Sequence, residues 1–273
     1  MGRKIVYQPA VGNAPTSAGL STVKASELVQ GPVVADNVEF SSSGAVTLGD
    51  IARIRVFAGG VPFINMDMTE YNGLFQRFSR NNTGLDLTSK VLPINYYAMD
   101  EKDQLARDNY QAPLNRYIEL DFGVFTPTTE GINVTSVLTD QATLYYPLLL
   151  GSAMGIQASQ ALRTYDSKMG GFIRAFGINT SGLVRFFWTI GGTQLYNGVN
   201  GVGLLNQEIA ETSVYGQTGK TTNFQVVKVN PWYDLASPDN NIQIQTDGGW
   251  AGVSNEFFIY AVNPVGKAGV GVA

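Results

Sequence analysis

The segment "GQTGKTT" at 216–222 is where this chain comes nearest to a phosphate-binding motif. That chemistry needs Gly-x-x-x-x-Gly-Lys-Ser/Thr placed between a strand and a helix, so that free N–H groups at the helix start face the phosphate. Val214 stands where the first glycine belongs, and "TNFQVVKV" after the lysine reads as a strand. The segment is therefore read as a loop. Carboxylates cluster twice. Asp100, Glu101 and Asp103 belong to a polar stretch that reads as a solvated face. Glu119 and Asp121 are spaced i, i+2, which puts both on one face of a strand. Hard cations such as calcium favour oxygen clusters of this kind. No loop has the ligand spacing of a calcium motif, so no cofactor is expected beyond a calcium ion bridging subunits.

Two absences bound the chemistry further. The chain has no histidine and no cysteine. Ser–His and Cys–His nucleophile pairs cannot be built, nor can a thiolate or histidine zinc site. Disulfides are excluded as well. An enzyme would have to run on Asp, Glu, Lys, Tyr or Ser alone, and a non-enzymatic role is expected. The formal charge is −4, from 18 basic and 22 acidic residues, with no basic stripe. Sequence-specific nucleic-acid binding is therefore not expected. Charged residues make up 15%, against about 25% in an average soluble domain. A surface so poor in charge suits one that other copies cover, since interface cores are depleted of Lys, Glu and Asp.

The elements that must position these groups read mainly as strands. "PVVADNVEF" (32–40), "IARIRVF" (51–57) and "RYIELDFGVF" (116–125) each alternate, with turn clusters between them. "TEYNGLFQRFSR" spaces Tyr71, Leu74, Phe75 and Phe78 as one helical stripe, capped by Thr69 or Asp67. "MDEKDQLARD" (99–108) reads as an exposed helical turn. The uncharged run between Asp140 and Arg163 contains Gln141, Pro147, Ser152 and Gln157 among its polar and helix-breaking residues, so it is not read as a membrane span. A strand ending near Pro147 followed by a small-residue helix is expected there. No signal peptide is expected. Asn81, Asn133 and Asn179 open glycosylation-like triplets that carry no weight on their own. The first 31 residues, rich in Ala, Ser, Thr, Gly and Pro, read as an extended N-terminal arm.

The plan then repeats. "IARIRVFAGGVPFIN" (51–65) and "LVRFFWTIGGTQLYN" (183–197) share Arg53/Arg185, Gly59/Gly191, Gly60/Gly192 and Asn65/Asn197 at one offset of 132 positions (191 − 59, for example). Each Gly-Gly pair supplies the positive φ that a tight hairpin needs. "NGVGLLNQEIAE" offers a second short helical face after the second copy. A duplication of this length means two similar domains rather than a solenoid. The expected fold is all-β: two tandem eight-stranded jelly rolls at 32–166 and 167–273, the latter ending in a C-terminal tail. A short helix is expected after the second or third strand of each.

The order strand, "I-x-x-I-R-V…G-G", strand, short helix, given twice, resembles the double jelly-roll major capsid proteins of tailless icosahedral viruses with an internal membrane, the corticovirus type above all. The resemblance rests on "GDIARIRVFAGGVPFIN" with "YNGLFQRF", on "RYIELDFGVFTPTTEGINVTSVL", on "FIRAFGINTSGLVRFFWTIGGTQLYN" and on the closing hairpin "NNIQIQTDGGWAGVSNEFFIYAV". It spans most of residues 32–262. It implies a bacteriophage coat protein forming homotrimers of pseudo-hexagonal outline that tile a virion shell, assembled in the host cytoplasm. The partners it implies are other copies, minor capsid or vertex proteins, and membrane lipid on the inner side. The resemblance places Arg3 and Lys4 toward anionic head groups. The alternative reading is a carbohydrate- or cell-surface-binding β-sandwich, a viral spike or lectin-like module, using Tyr110, Trp232, Tyr233 and Trp250 near turns to stack on a sugar.

Overall fold

The structure is a computed structural model that describes residues 2–13, 21–41, 45–78, 84–96, 111–123, 131–140, 145–153, 161–165, 172–179, 183–204, 206, 224–234, 241–246 and 256–264. The chain divides into two compact units after Leu149. The first holds β1 (Arg3–Asn13), β2 (Ser21–Ala25), β3 (Val33–Glu39), β4 (Ile51–Ala58), β5 (Val61–Asp67), helix α1 (Met68–Phe78), β6 (Val91–Asn95), β7 (Arg116–Phe122) and β8 (Gly131–Thr139). β9 (Tyr145–Ala153) straddles the division and, by strand order, opens the second unit. It is followed by β10 (Ala161–Tyr165), β11 (Phe172–Asn179), β12 (Leu183–Ile190), β13 (Thr193–Val199), β14 (Phe224–Asp234), β15 (Asn241–Thr246) and β16 (Glu256–Pro264).

Within the first unit the sheets run β1-β8-β3-β6 and β5-β4-β7-β2. Within the second they run β9-β16-β11-β14 and β13-β12-β15-β10. Counted inside each unit the order is the same: first-eighth-third-sixth in one sheet, fifth-fourth-seventh-second in the other. Strand n of the first unit thus has its counterpart in strand n+8.

Alternation explains why these segments are strands and which side they bury. In β7, Arg116, Ile118, Leu120 and Phe122 face the core while Tyr117, Glu119 and Asp121 face outward. In β8, Ile132, Val134 and Ser136 are buried and Asn133, Thr135 and Val137 are not. β4 keeps Ile51, Ile54 and Val56 all buried although their spacing is not strictly two. A bulge between Ile51 and Arg53 against β7 resets the phase, because one strand advances two residues while the other advances one. Each fully buried aliphatic side chain here is worth about 1.5–3 kcal/mol.

α1 starts where the Asp67 carboxylate accepts the Thr69 N–H at 2.7 Å, an N-cap bond. Tyr71 and Leu74 are fully buried, and the Tyr71 hydroxyl donates to the Pro93 carbonyl at 2.9 Å. In the second unit Phe186, Trp188 and Ile190 alternate on the buried side of β12. Trp188 stacks with Tyr196 at a centroid separation of 6.1 Å.

Several expectations give way. Residues 3–13 and 21–25 are not an arm: β1 pairs with β8 from Arg3↔Thr139 to Asn13↔Gly131, and β2 pairs with β7. Their partners lie 93 (118 − 25) to 136 (139 − 3) residues away, so a small-residue composition hid strands stabilised by remote pairing. The first unit therefore takes in β1, and the division falls near Leu149 instead of at 166. The helical segments follow the fifth strand of each unit, at α1 and at 201–204. β9 continues through Pro147 to Ala153 and β10 begins at Ala161, so both ends of the expected helix are strand, an ambiguity inherent in short apolar runs, while 154–160 lie outside the described residues. β15 and β16 are no hairpin: β15 pairs with β10 and β12, while β16 pairs with β11. The 99–108 stretch lies outside the described residues.

Candidate functional site

The face of β5-β4-β7-β2 turned away from the first core is a charge ladder. The register sets Arg55 opposite Glu119 and Arg53 opposite Asp121 on β7, and then Lys24 opposite Glu119 and Thr22 opposite Asp121 on β2. Arg55 Nη2 lies 3.6 Å from Glu119 and forms a closer ion pair with Asp121. The Thr22 hydroxyl donates to the same Asp121 oxygen at 2.7 Å, and Arg53 Nε donates to Asn65 Oδ1 at 2.6 Å. Lys24 Nζ sits 3.8 Å from the Tyr117 ring centroid, and that ring stacks on Phe57 at 4.8 Å. The Arg55, Glu119 and Asp121 side chains keep 27%, 20% and 24% exposure. Pairs so exposed are worth up to about 1 kcal/mol. The carboxylates singled out for a cation are thus held by Arg55. Among the described residues no group of three or more metal-ligating acids occurs.

Beneath it lies a buried polar network, which the alternation itself signals. Asp36 in β3 and Arg116 in β7 occupy core-face positions where an apolar residue belongs, and both are almost fully buried. Arg116 grips Asp36 with two bonds, Nε to Oδ2 at 2.7 Å and Nη2 to Oδ1 at 2.8 Å. The Tyr96 and Ser136 hydroxyls each donate to Asp36 at 2.6 Å. Arg116 Nη1 donates to the Val29 carbonyl at 2.7 Å. Burial by itself would lower the Arg116 pKa, but the Asp36 hydrogen bonds and the charges facing it hold it above its usual value. Burial, and then the Asp36 charge, push the Tyr96 hydroxyl well above 10.0. Because Asp36 and Ser136 belong to one sheet and Arg116 to the other, the network clamps the two layers of the first unit. It was not singled out from the sequence, where a charge within alternation reads as solvent-facing. The signal was two opposite charges, each in phase with buried valines, isoleucines or leucines.

The residues that were singled out fall as follows. Gly59 and Gly60 have φ of +59° and +87°, and Gly191 and Gly192 have +56° and +72°, the type I′ pattern at both turns. A Cβ built at any of the four meets nothing within 4 Å, so the turn demands glycine for conformation alone. Over the four pairs nearest the turn the two hairpins agree, and beyond them β12–β13 carries a further bulge between Phe186 and Phe187. Arg55↔Asn65, Val56↔Ile64, Phe57↔Pro62 and Ala58↔Val61 match Phe187↔Asn197, Trp188↔Tyr196, Thr189↔Gln194 and Ile190↔Thr193, one bulge included.

Arg3 and Lys4 are consecutive exposed residues of β1, so they point to opposite faces. Beside them the Gly2 amide donates to Asp140 at 2.9 Å and holds that carboxyl below its usual range. Trp232 and Tyr233 lie in the last three residues of β14. Tyr110, Trp250, the "GQTGKTT" loop and Asp100, Glu101 and Asp103 lie outside the described residues. No helix among the described residues is long and apolar enough to cross a membrane.

No family model matches the chain, and no curated protein sequence matches it. Solved structures do. The major capsid protein of bacteriophage PM2 is similar with a TM-score of 0.67 at 12% identity, over 96% of this chain and 98% of that one. The likeness in fold runs through nearly the whole of both chains. The chain folds as a double jelly roll. The major capsid protein of STIV is similar over 95% of this chain and 96% of its own, with a TM-score of 0.62 at 11% identity. The Faustovirus major capsid protein reaches a TM-score of 0.51 at 9% identity, over 96% and 90%. In the double jelly roll, the Gly59-Gly60 and Gly191-Gly192 turns join the fourth and fifth strands of their respective rolls.

Proposed function

We propose that this double jelly roll is a major capsid protein, a structural component of a bacteriophage virion and not a catalyst. The observation that carries the reading is the match in extent: the doubled roll accounts for 96% of this chain and 98% of the PM2 coat protein. The proposed assembly is a homotrimer. Three chains place six near-equivalent sandwiches around one threefold axis, a pseudo-hexagonal tile that needs no sixfold symmetry. Low charge, 15% of residues, suits walls that other copies cover. Such tiles pave a closed shell in which vertex or minor capsid proteins fill the remaining positions, after assembly in the host cytoplasm. The absence of histidine and cysteine supports a role without chemistry.

The proposed shell encloses a lipid membrane, with only the starting end of β1 toward it. Arg3 and Lys4 then each contribute about 1 kcal/mol near an anionic surface. The test of the coat-protein reading is the mass in solution together with microscopy. Light scattering should give three times 29.4 kDa, and concentrated material should form hexagonal arrays. A monomer that never associates would refute it. For the membrane, flotation on anionic against neutral vesicles should lose its anionic preference on Arg3→Glu/Lys4→Glu; unchanged attachment removes the lipid assignment.

A further inference from the structure

We propose that the outer face of sheet β1-β8-β3-β6 in the first roll is covered by a second copy of this chain in the assembled shell, an inference that rests on the coat-protein reading. The two outward faces of this roll differ in chemistry. The β5-β4-β7-β2 face is charged, and Arg55 pairs there with Glu119 and Asp121. On the other face Ile5 and Tyr7 stand 70% and 55% exposed. The register lays Ile5 beside Val137, and Tyr7 beside Thr135 and then Asn37. Val91, 42% exposed, continues the face on β6 opposite Glu39.

Arg3 and Glu39 are its two charges, of opposite sign and on different strands, and the Glu39 carboxylate accepts the Thr135 hydroxyl at 2.7 Å. A copy laid on this face therefore meets no net charge, although each chain carries −4. Apolar, hydroxyl and amide groups with an exposed tyrosine are what interface cores select. A lipid surface would instead call for cations spread along the face. Four strands about 4.8 Å apart and some seven residues long give roughly 440 Å² of flat sheet. That is more than half of the roughly 800 Å² each partner buries in a standard interface.

Edge-to-edge growth is the other way a sheet recruits a copy, and β1 is built against it. Pro9 lacks an N–H, and a bulge interrupts the ladder between Gln8 and Gly12. The face, rather than the edge, is what this sheet offers.

The test uses the lack of cysteine, which makes one introduced thiol a unique reporter. Asn37→Cys, near the centre of the face, is labelled with a maleimide as lipid-free oligomer and again after dilution to monomer. At least tenfold slower labelling in the oligomer is expected. Tyr7→Glu should yield folded chains, by circular dichroism, whose mass in light scattering falls to that of a monomer. A trimer whose Asn37→Cys labels as fast as its monomer, or a Tyr7→Glu trimer of wild-type stability, overturns this proposal and leaves the coat-protein reading intact. Protection that arises only on anionic vesicles assigns the face to lipid and overturns it as well. A wild-type chain that stays monomeric overturns the coat-protein reading and this inference together.

Discussion

Replacing Arg116 by Met should destabilise the first roll by several kcal/mol. The substitution keeps the length of the side chain and removes its charge and its donors. Asp36 then loses both guanidinium bonds, at 2.7 and 2.8 Å, and stays buried with only the Tyr96 and Ser136 hydroxyls. The Val29 carbonyl loses its donor as well. Removing one partner of a buried pair costs about 3–5 kcal/mol, chiefly because the other charge is left uncompensated. With a urea slope of about 2 kcal/mol/M, the midpoint should fall by roughly 2 M.

Two probes separate the rolls. Trp188, Trp232 and Trp250 are the chain's three tryptophans and all follow Leu149, so their fluorescence reports the second roll. Far-ultraviolet circular dichroism reports both. The loss should appear in the dichroism transition and not as a tryptophan shift of the same size. The double variant Asp36→Asn/Arg116→Met tests the cause. It removes the orphaned charge, while the introduced carboxamide keeps an oxygen that can still accept a hydroxyl. It should therefore recover about 2 kcal/mol over Arg116→Met alone. A single variant that costs less than about 1 kcal/mol, or a double variant less stable than the single, refutes the idea that this pair clamps the sheets.

Gly59→Ala and Gly191→Ala should each cost about 1–2 kcal/mol, since alanine must adopt positive φ with no clash to add; Gly59→Asn should cost less, and equal losses for Ala and Asn in urea titrations would argue against a purely conformational cause. Tyr96 is held neutral by burial, so its folded pKa lies above the unfolded value near 10. Its contribution is complete below pH 10 and is lost as pH rises toward the folded pKa; absorbance at 295 nm should show a late ionisation that accompanies unfolding, and Tyr96→Phe should reduce that step by one tyrosine. Asp67→Ala removes the bond to the Thr69 N–H at the start of α1 and should cost about 1 kcal/mol by thermal unfolding.

What the sequence made legible was local. The Gly-Gly turns, the alternation of β3 and β7 and the Tyr71–Leu74 part of the α1 stripe are each decided within a dozen residues, and each stands where alternation or spacing put it, whereas the bulge in β4 shifts its phase. The remainder depended on partners far along the chain. β1 reads as an arm until β8 supplies its ladder, and β15 with β16 read as a hairpin until β10, β12 and β11 claim them. The Asp36–Arg116 pair was written in the phase of two strands, but neither charge reveals the other without the fold that brings them to 2.7 Å.

The two rolls show which part of a duplicated plan is free to change. The fourth–fifth strand hairpins keep one register over the four pairs nearest the turn, where the turn fixes it, and farther out β12–β13 takes a further bulge between Phe186 and Phe187. Facing outward, the same positions diverge. Arg55, Glu119 and Asp121 of the first roll correspond to Phe187, Gln243 and Gln245 of the second, set opposite one another by the same pairings. The charged positions of the first roll thus have uncharged counterparts in the second. Identical rolls would offer every neighbour the same surface and could not distinguish first roll from second. Rolls alike in frame and unlike in outer chemistry can, because misplacing an amide face where a charged one belongs leaves polar groups unpaired. In the proposed tile, such a difference in outward chemistry is what would keep near-equivalent parts in order.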